Sequence, residues 1–559
     1  MASLHGEMRV KKDHGSIQTR RWIPPIVFDG LLTLARYLPL LVPIILFLGS
    51  LYIPPMVASD SGVGLLALRS MLDGGAFNCI TVPDPANIAR DVAIFLTWWS
   101  PGQYLVPGSF VWLGTSYGLA LSLTALIATL IGVLGWIQVA RSFAVGSFVL
   151  FNFVLGLTTF AYITLPFQLY WGGELLLFAT APWSLYAMRW SANKSPLLCF
   201  AISLLSAVLL FFAKLTGLIV FAANVLAISS INIIKQRGLD TSTIAMWVAS
   251  AIGAFCFMMF WVSRGSVPVG GSTMPFSWLP IWFSVTGAAF SGTSALEFLR
   301  WFLGHFWGRA IADSWMGIES SYVLGPLGLL LMVWVWLHLR YTRHRDAAVL
   351  LLTIILLYAI VIATAMYISG GDVTFEERYF RYAGILLFLL LLTTIDEWPV
   401  RFAKELACVV VIVFGLYGIK NYVTNAFAQV RAGYYDPVTG ISQDLVSPAI
   451  LQYLRSEVTQ HNFRRAILMV PSTSAPISLP QFRILAGPTF GEWAGPAFAK
   501  WMGYPIGTKL VGRAERIFVV LPEKMLVNGK VEAALQLFAS YEFDNWKHTK
   551  LDGMIIYTQ

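Results

Sequence analysis

Charge is what this sequence lacks. Only 12% of its 559 residues are Asp, Glu, Lys or Arg, against about 25% in soluble domains. So few charges cannot cover a water-facing surface of this size, which excludes an ordinary soluble protein. Cysteine is scarce as well. Cys79, Cys199, Cys256 and Cys408 are scattered, and three fall inside apolar runs, which excludes a disulfide framework and a cysteine metal knuckle. The C-terminal part has no glycine-rich phosphate loop, metal-ligand cluster or nucleophile motif. No strong internal repeat or low-complexity tract stands out.

What the chain has is apolar length. It is 57% hydrophobic, with 21 Trp and 38 Phe. Runs of about 20 apolar residues recur, the length needed to cross roughly 30 Å of hydrocarbon as helix. This predicts a mostly α, polytopic membrane protein. The net charge of +9 sits between the runs, so it reads as cytoplasmic anchoring and not as affinity for nucleic acid.

Residues 1–30 are polar and basic, with Arg9, Lys11, Lys12, Arg20 and Arg21, which predicts a cytoplasmic N-terminus. The run Leu31 to Ile53 is too long for a signal-peptide core and lacks a small-residue cleavage site, so it is expected to stay as the first span. An outer loop follows, Pro54 to Gln103, in which Val63, Leu66, Ala67, Ser70 and Met71 predict a short helix lying on the membrane surface. Further spans are expected at 116–139, 143–165, 172–190, 196–213, 215–234, 244–262, 322–339, 347–368, 382–395 and 406–419. A second long outer segment, 263–320, is expected to hold interfacial helices such as Ser294 to Ile311. Every predicted inner loop carries Lys or Arg, so about eleven spans put the N-terminus in and the C-terminus out.

From residue 420 the composition changes. RAILMV (Arg465 to Val470), RIFVVLP (Arg516 to Pro522) and GMIIYT (Gly553 to Thr558) read as buried strands, and Pro448 to Gln460 and Val531 to Tyr541 as helices. Residues 420–559 therefore predict an extracytoplasmic α/β domain, long enough for its own core. Its expected role is to cap the membrane domain of residues 31–419 or to hold an acceptor.

Ionisable groups at the edges of membrane helices are costly, and are usually paired or functional. On the predicted outer side the sequence gathers Asp60, Glu174, Lys214, Arg264, Arg300, His305, Arg309, Asp372, Glu376, Glu377, Arg378 and Arg381. A mixed acidic and basic vestibule suits a substrate with an anionic headgroup and a neutral polar part. A lipid-linked phospho-sugar, its prenyl tail in the bilayer, fits that description.

Four short stretches fall in order along this topology: SDSG (Ser59 to Gly62), PGQYLVPGSFVWLG before the second span, FAKLTGL (Phe212 to Leu218) between the fifth and sixth, and EERYFRY (Glu376 to Tyr382) opening the tenth. Together they resemble the GT-C class of polyprenyl-phosphate-dependent glycosyltransferases. The last is similar to the Arg-Tyr element of the lipid A aminoarabinose and protein mannosyl transferases. The resemblance covers roughly Leu31 to Ile419. It implies a GT-C-like membrane domain, a polyprenyl-phosphate sugar donor, and an acceptor that is a glycan, a lipid or a protein. One departure is that relatives often have two adjacent acids in the first loop, whereas Asp60 is followed by Ser61.

Transfer from a polyprenyl phosphate needs a base for the acceptor hydroxyl and groups to hold the phosphate as its charge grows. Asp60 is the candidate catalytic base. Lys214, Arg378 and Arg381 are the candidates for the donor phosphate, arginine gripping oxygens in pairs and lysine acting as a point charge. Glu174, Glu376, Tyr379 and His305 are candidates for sugar or acceptor contacts. The structural alternatives are plain. Asp60 could be a helix N-cap, Lys214 could snorkel, and Arg378 could pair with Glu376 or Glu377. Glu174 could be an ordinary span-boundary residue, and His305 could pack among aromatics at the interface. Carboxylates of the outer loops are the chemistry that would hold Mg2+ or Mn2+, but no spacing demands a metal. The competing function is a secondary transporter or flippase for an anionic or lipid-linked solute, which would place charges near the membrane midplane. A non-catalytic assembly subunit is a third. A bacterial inner membrane is the expected location, because N-glycan-rich loops and retention signals are lacking.

Overall fold

The computed structural model describes residues 41–559, apart from residues 58, 98, 162, 166–171, 266–274, 340–344, 370–376, 444, 462–465, 487–508 and 529. The chain begins with α1 (Leu41–Ser50), the described part of the expected first span. Next come α2 (Ser59–Leu72), the antiparallel hairpin β1 (Cys79–Asp84) and β2 (Asn87–Phe95), and α3 (Gly102–Trp112). Helices α4 (Tyr117–Ser142), α5 (Ser147–Thr159), α6 (Glu174–Ser191), α7 (Pro196–Ala213), α8 (Gly217–Gln236) and α9 (Thr241–Phe260) make the first part of the bundle. Three shorter helices, α10 (Leu279–Thr286), α11 (Ala295–Trp307) and α12 (Arg309–Trp315), lead to α13 (Ser321–His338), α14 (Arg345–Ser369), α15 (Arg381–Glu397) and α16 (Arg401–Ala432). The C-terminal part holds β3 (Tyr434–Asp436), β4 (Ile441–Gln443), α17 (Pro448–His461), β5 (Ile467–Val470), β6 (Arg483–Ala486), β7 (Ile517–Pro522), α18 (Lys530–Leu535), β8 (Lys547–Leu551) and β9 (Met554–Thr558).

Among the described residues, eight helices are long and apolar enough to cross a membrane: α4, α7, α8, α9, α13, α14, α15 and α16. The protein is an integral membrane protein. The expected third span is represented by α5, whose 13 residues reach about 20 Å at 1.5 Å per residue, short of the roughly 30 Å of hydrocarbon. Helix starts follow local chemistry. Ser116, Ser195 and Asp240 each accept a hydrogen bond from the backbone N–H three residues on, satisfying a donor that the first turn leaves unpaired. Lipid gives helices no hydrophobic reason to associate, so close backbone approach carries the packing. A Cβ on Gly384 of α15 would lie 2.1 Å from the Cα of Gly292, so neither position tolerates a side chain.

The two ends of the bundle differ. One end is held by exposed or half-buried polar pairs: Lys235 with Asp346 at 2.5 Å, Lys404 with Asp396 at 2.8 Å, and Arg189 donating to Ser142 Oγ at 3.0 Å. The other end receives the start of α6, the end of α7 and the start of α15, and it carries the C-terminal sheet.

That sheet has the order β6-β5-β7-β9-β8, with β6, β5 and β7 parallel and β9 and β8 antiparallel. Its central strands are buried on both faces, which is why they read as unbroken apolar runs. The first loop docks directly on it. Ile88 joins the core formed by Ile467 and Ile517, and its N–H donates to the Val511 carbonyl at 2.8 Å. Arg483 of β6 donates to Asp91 Oδ1 at 2.7 Å.

Helix α2 is not the surface-lying helix its periodicity predicts. Every residue from Ser61 to Ser70 is buried, because VGLLALRSML has no polar face to turn toward water or headgroups. Its one buried charge, Arg69, donates to the carbonyls of Pro476, Pro480 and Phe482 in the loop after β5. Helix α2, the β1–β2 hairpin and the C-terminal domain are one packed unit.

Candidate functional site

The tip between α7 and α8 is set by Lys214, whose extended backbone (φ −162°, ψ 145°) ends α7. Gly172 and Gly173 bring the first turn of α6 against that tip. A Cβ on Gly173 would lie 2.3 Å from the Ala213 carbonyl oxygen and 3.2 Å from Lys214 Cβ, and Gly172 has φ +71°. The Gly-Gly pair thus delivers Glu174 to Lys214 without a side chain in between. Helix α3 closes the same corner. Gly102 abuts the Phe212 carbonyl, while Gln103 touches both Gly172 and Gly64 of α2. The PGQY segment is therefore the joint between α2, α6 and α7.

Glu174 is 1% exposed and sits between two cations. Lys214 donates from Nζ to its Oε1, and Arg381 reaches Oε2 at 3.3 Å. Arg381, 3% exposed, also donates to the Glu174 carbonyl, and to the Ile163 carbonyl at 3.0 Å. Tyr379 lies beside the cluster, its ring centroid 5.3 Å from Lys214 Nζ and 5.6 Å from Arg378 Cζ. Tyr358 donates to the Tyr379 carbonyl and Tyr382 to Asn224 Oδ1 at 2.7 Å, so hydroxyls brace the helices below. Glu174, Arg378, Tyr379 and Arg381 line a narrow cavity floored by Trp136 and Tyr382. Three cationic side chains, Lys214, Arg378 and Arg381, gather at this corner, and cations gathered at the end of a bundle are chemistry that attracts an anion.

Of the residues expected from sequence, Glu174, Lys214, Arg378, Tyr379 and Arg381 come together. Arg381 is the most committed of them, tied by one guanidinium to Glu174 and two carbonyls, which makes it the anchor of Glu174. Asp60 lies in the first turn of α2, one turn before Gly64 and its contact with Gln103. Its side chain lies outside the described residues, as does Glu376. His305 lies elsewhere, in a second cavity on α11, with its ring 6.1 Å from that of Trp301. Glu377 is tied to that cavity's wall, accepting from Arg300 Nη2 at 2.9 Å. Among the described residues no three His, Cys, Asp or Glu side chains gather as a metal group. Sequence reasoning gave no role to Gln103, although PGQY was singled out. It also missed Tyr358 and Asn224, which carry no signal apart from their apolar helices.

No family model matches the sequence, and no curated protein matches it by sequence comparison. Solved structures do match in shape. The chain superposes on ArnT from Cupriavidus metallidurans in the apo state with a TM-score of 0.51 at 13% identity, over 95% of this chain and 98% of that one. The same protein bound to undecaprenyl phosphate gives 0.47 at 12% identity, over 96% and 98%. Arabinofuranosyltransferase AftD from Mycobacteria gives 0.38 at 14% identity, over 79% of this chain and 29% of that one. The fold is therefore that of ArnT, a GT-C-type arrangement of apolar helices with a sheet-containing C-terminal domain.

Proposed function

We propose that the protein transfers a sugar from a polyprenyl-phosphate donor to an acceptor hydroxyl at the sheet-bearing end of the membrane domain. The observation that carries this reading is the convergence of Lys214 and Arg381 on the buried Glu174, with Arg378 lining the same cavity, set in an ArnT-like fold at the end of a membrane bundle. A lipid-linked phosphate could reach that position with its tail still in the bilayer.

Lys214 and Arg378 hold the donor phosphate, while Arg381 keeps Glu174, and through it Lys214, in place. Asp60 takes the proton of the acceptor hydroxyl. The acceptor oxygen forms the new bond to the anomeric carbon as the bond from that carbon to the phosphate oxygen breaks. The polyprenyl phosphate leaves with the electron pair, and its growing negative charge is met by the cations already in place. Phosphate leaves without a protonating acid, unlike the aglycone in glycoside hydrolysis, and direct displacement inverts the anomeric centre. Partial desolvation at the membrane edge is what would make an aspartate basic enough for this task.

The positive-inside rule assigns the opposite end, with Arg141, Arg189, Lys235, Arg237 and Lys404, to the cytoplasm. In this reading the protein lies in a bacterial inner membrane with its N-terminus inside, and its C-terminal domain, outside, helps hold the acceptor. A transporter would concentrate charge near the midplane, whereas these cations cluster at a helix-end corner.

The test is release of polyprenyl phosphate by the full chain in lipid nanodiscs, given a panel of polyprenyl-phosphate sugars and crude envelope acceptors. Transfer by the wild type that disappears in Asp60→Asn supports both the class and the base. Transfer that persists in Asp60→Asn removes the base assignment. A wild type that neither turns over nor binds labelled donor removes the class.

A further inference from the structure

A second cavity, about 570 Å3, opens between α11, α12 and α16 at the same end of the bundle. It falls within the range of small-molecule sites, about 300–1,000 Å3. Glu377 belongs to its side and the next residue, Arg378, to the cavity at Glu174. Among the described residues, Arg300 in its wall pairs with Glu377 at 2.9 Å and Arg309 is accompanied by Asp313, so cations and carboxylates are matched.

Glu297 is the odd group. It is 8% exposed, lines the cavity, and neither carboxyl oxygen meets a hydrogen-bond donor among the described residues. A buried polar group left in that state is destabilising, and a ligand bearing hydroxyls would relieve it. Burial, followed by a hydrogen bond shared with Glu377 and the charge of that neighbour, pushes its carboxyl well above the usual range. The neutral form both donates and accepts, which matches a hydroxyl better than a cation or a phosphate.

The remaining walls fit the same partner. Trp301 offers an indole ring whose position is fixed by Lys420, with Nζ 4.4 Å from its centroid. Asn421 supplies an amide that donates and accepts, and the Tyr417 hydroxyl, donating to the Glu297 carbonyl at 3.1 Å, has lone pairs to spare. An aromatic face, an amide and a neutral carboxyl around an uncharged space suit a ring carrying several hydroxyls.

We propose that this cavity is a saccharide site, taking a neutral sugar unit whose hydroxyls bond Glu297 and Asn421 and whose ring lies against Trp301. The inference stands on the cavity itself and does not require the transfer reaction above.

The test is saturation-transfer NMR on the full chain in phospholipid nanodiscs, with methyl hexosides and methyl pentosides as probes. Wild type is expected to saturate the ring protons of at least one glycoside. Glu297→Leu and Trp301→Ala should each weaken that binding about tenfold or more, equivalent to about 1.4 kcal/mol. Glu297→Gln, whose amide still donates and accepts, should retain it within a few-fold. Should Glu297→Leu fail to fold, the pair Trp301→Ala and Glu297→Gln decides the matter. The proposal is overturned if no glycoside binds wild type, or if binding is indifferent to both Glu297→Leu and Trp301→Ala. Binding lost in Lys214→Ala but kept in Glu297→Leu would move the sugar to the other cavity and overturn it equally. So would displacement of the glycoside by inorganic phosphate or tetramethylammonium, which would mark an ion site.

Discussion

Glu174 and Glu297 are both buried carboxyls at the sheet-bearing end of one helical bundle, and each stands near the segment Glu377 to Arg381. Glu174 has a cation on each oxygen and stays ionised inside the protein because Lys214 and Arg381 hold it there. Glu297 meets no donor on either oxygen among the described residues, and burial with a second carboxyl beside it pushes its own well above the usual range, toward the neutral form. The same residue type at similar depth thus serves opposite ends. In the roles proposed above, one carboxyl positions charges for an anion, and the other offers a hydroxyl-like group to an uncharged ligand. Burial alone does not assign a role, and the partners decide it.

The same substitution at both places tests the comparison most severely. Glu174→Gln leaves Lys214 and Arg381 buried without their counter-charge and should cost about 3–5 kcal/mol, read as a large drop in the thermal midpoint in nanodiscs. Glu297→Gln replaces a neutral carboxyl by a near-isosteric amide and should change that midpoint little, by less than about 1 kcal/mol. Equal effects at the two sites would erase the distinction. Next in size is Lys214→Ala, which removes one cation while Arg381 still answers Glu174. Transfer activity should fall about 100-fold, the scale of losing one transition-state donor, with a smaller loss of midpoint than Glu174→Gln.

A third carboxyl extends the comparison outside the membrane. Asp436 is buried beside the sheet. Burial alone would raise its pKa, but hydrogen bonds from Ser478, Arg455 and Thr439 outweigh it and hold it below the usual carboxylate value. A depressed folded-state pKa means that the stabilisation is fully present above about pH 4, the ordinary aspartate range. It is lost as pH falls through the lower folded value. Asp436→Asn should therefore lower stability at neutral pH and flatten the acid limb of a stability-versus-pH curve. The smallest effect is expected where both partners are exposed. Lys235→Ala breaks the pair with Asp346 at the opposite end and should shift stability by no more than about 0.5 kcal/mol.

Much of this architecture is legible in residue order, and the exceptions have physical causes. The long spans are readable because lipid imposes one period and one length, and β5, β7 and β9 because strands buried on both faces are unbroken apolar runs. Strand β8 was invisible, since its residues KHTKL alternate no apolar face and are mostly exposed. The expected helix Val531 to Tyr541 survives only as the short α18, because tertiary packing around Phe538 and Trp546 takes over. Helix α16 runs on to Ala432, beyond the expected end at Ile419, because nothing before Gly433 breaks it. At the site, Glu174, Lys214 and Arg381 could be picked out as charges at span edges. That Lys214 and Arg381 both close on Glu174 could not, because a pairing across three helices has no local signature. Glu297 was hidden for the opposite reason, being one acid on an aromatic helix that reads as interfacial.

The docking of Ile88 into the C-terminal sheet also sets an order of assembly. The hairpin that carries it is made before the bundle, and the strands that enclose it are made after. Between them lie the eight described helices long enough to span, so the sheet has no complete core until the hairpin and those strands have been delivered to the same side of the membrane. Domains made from contiguous sequence can fold as they emerge. This one has to wait for its own final strand, so the closing event of folding is also a check that every helix in between has been threaded in the right direction.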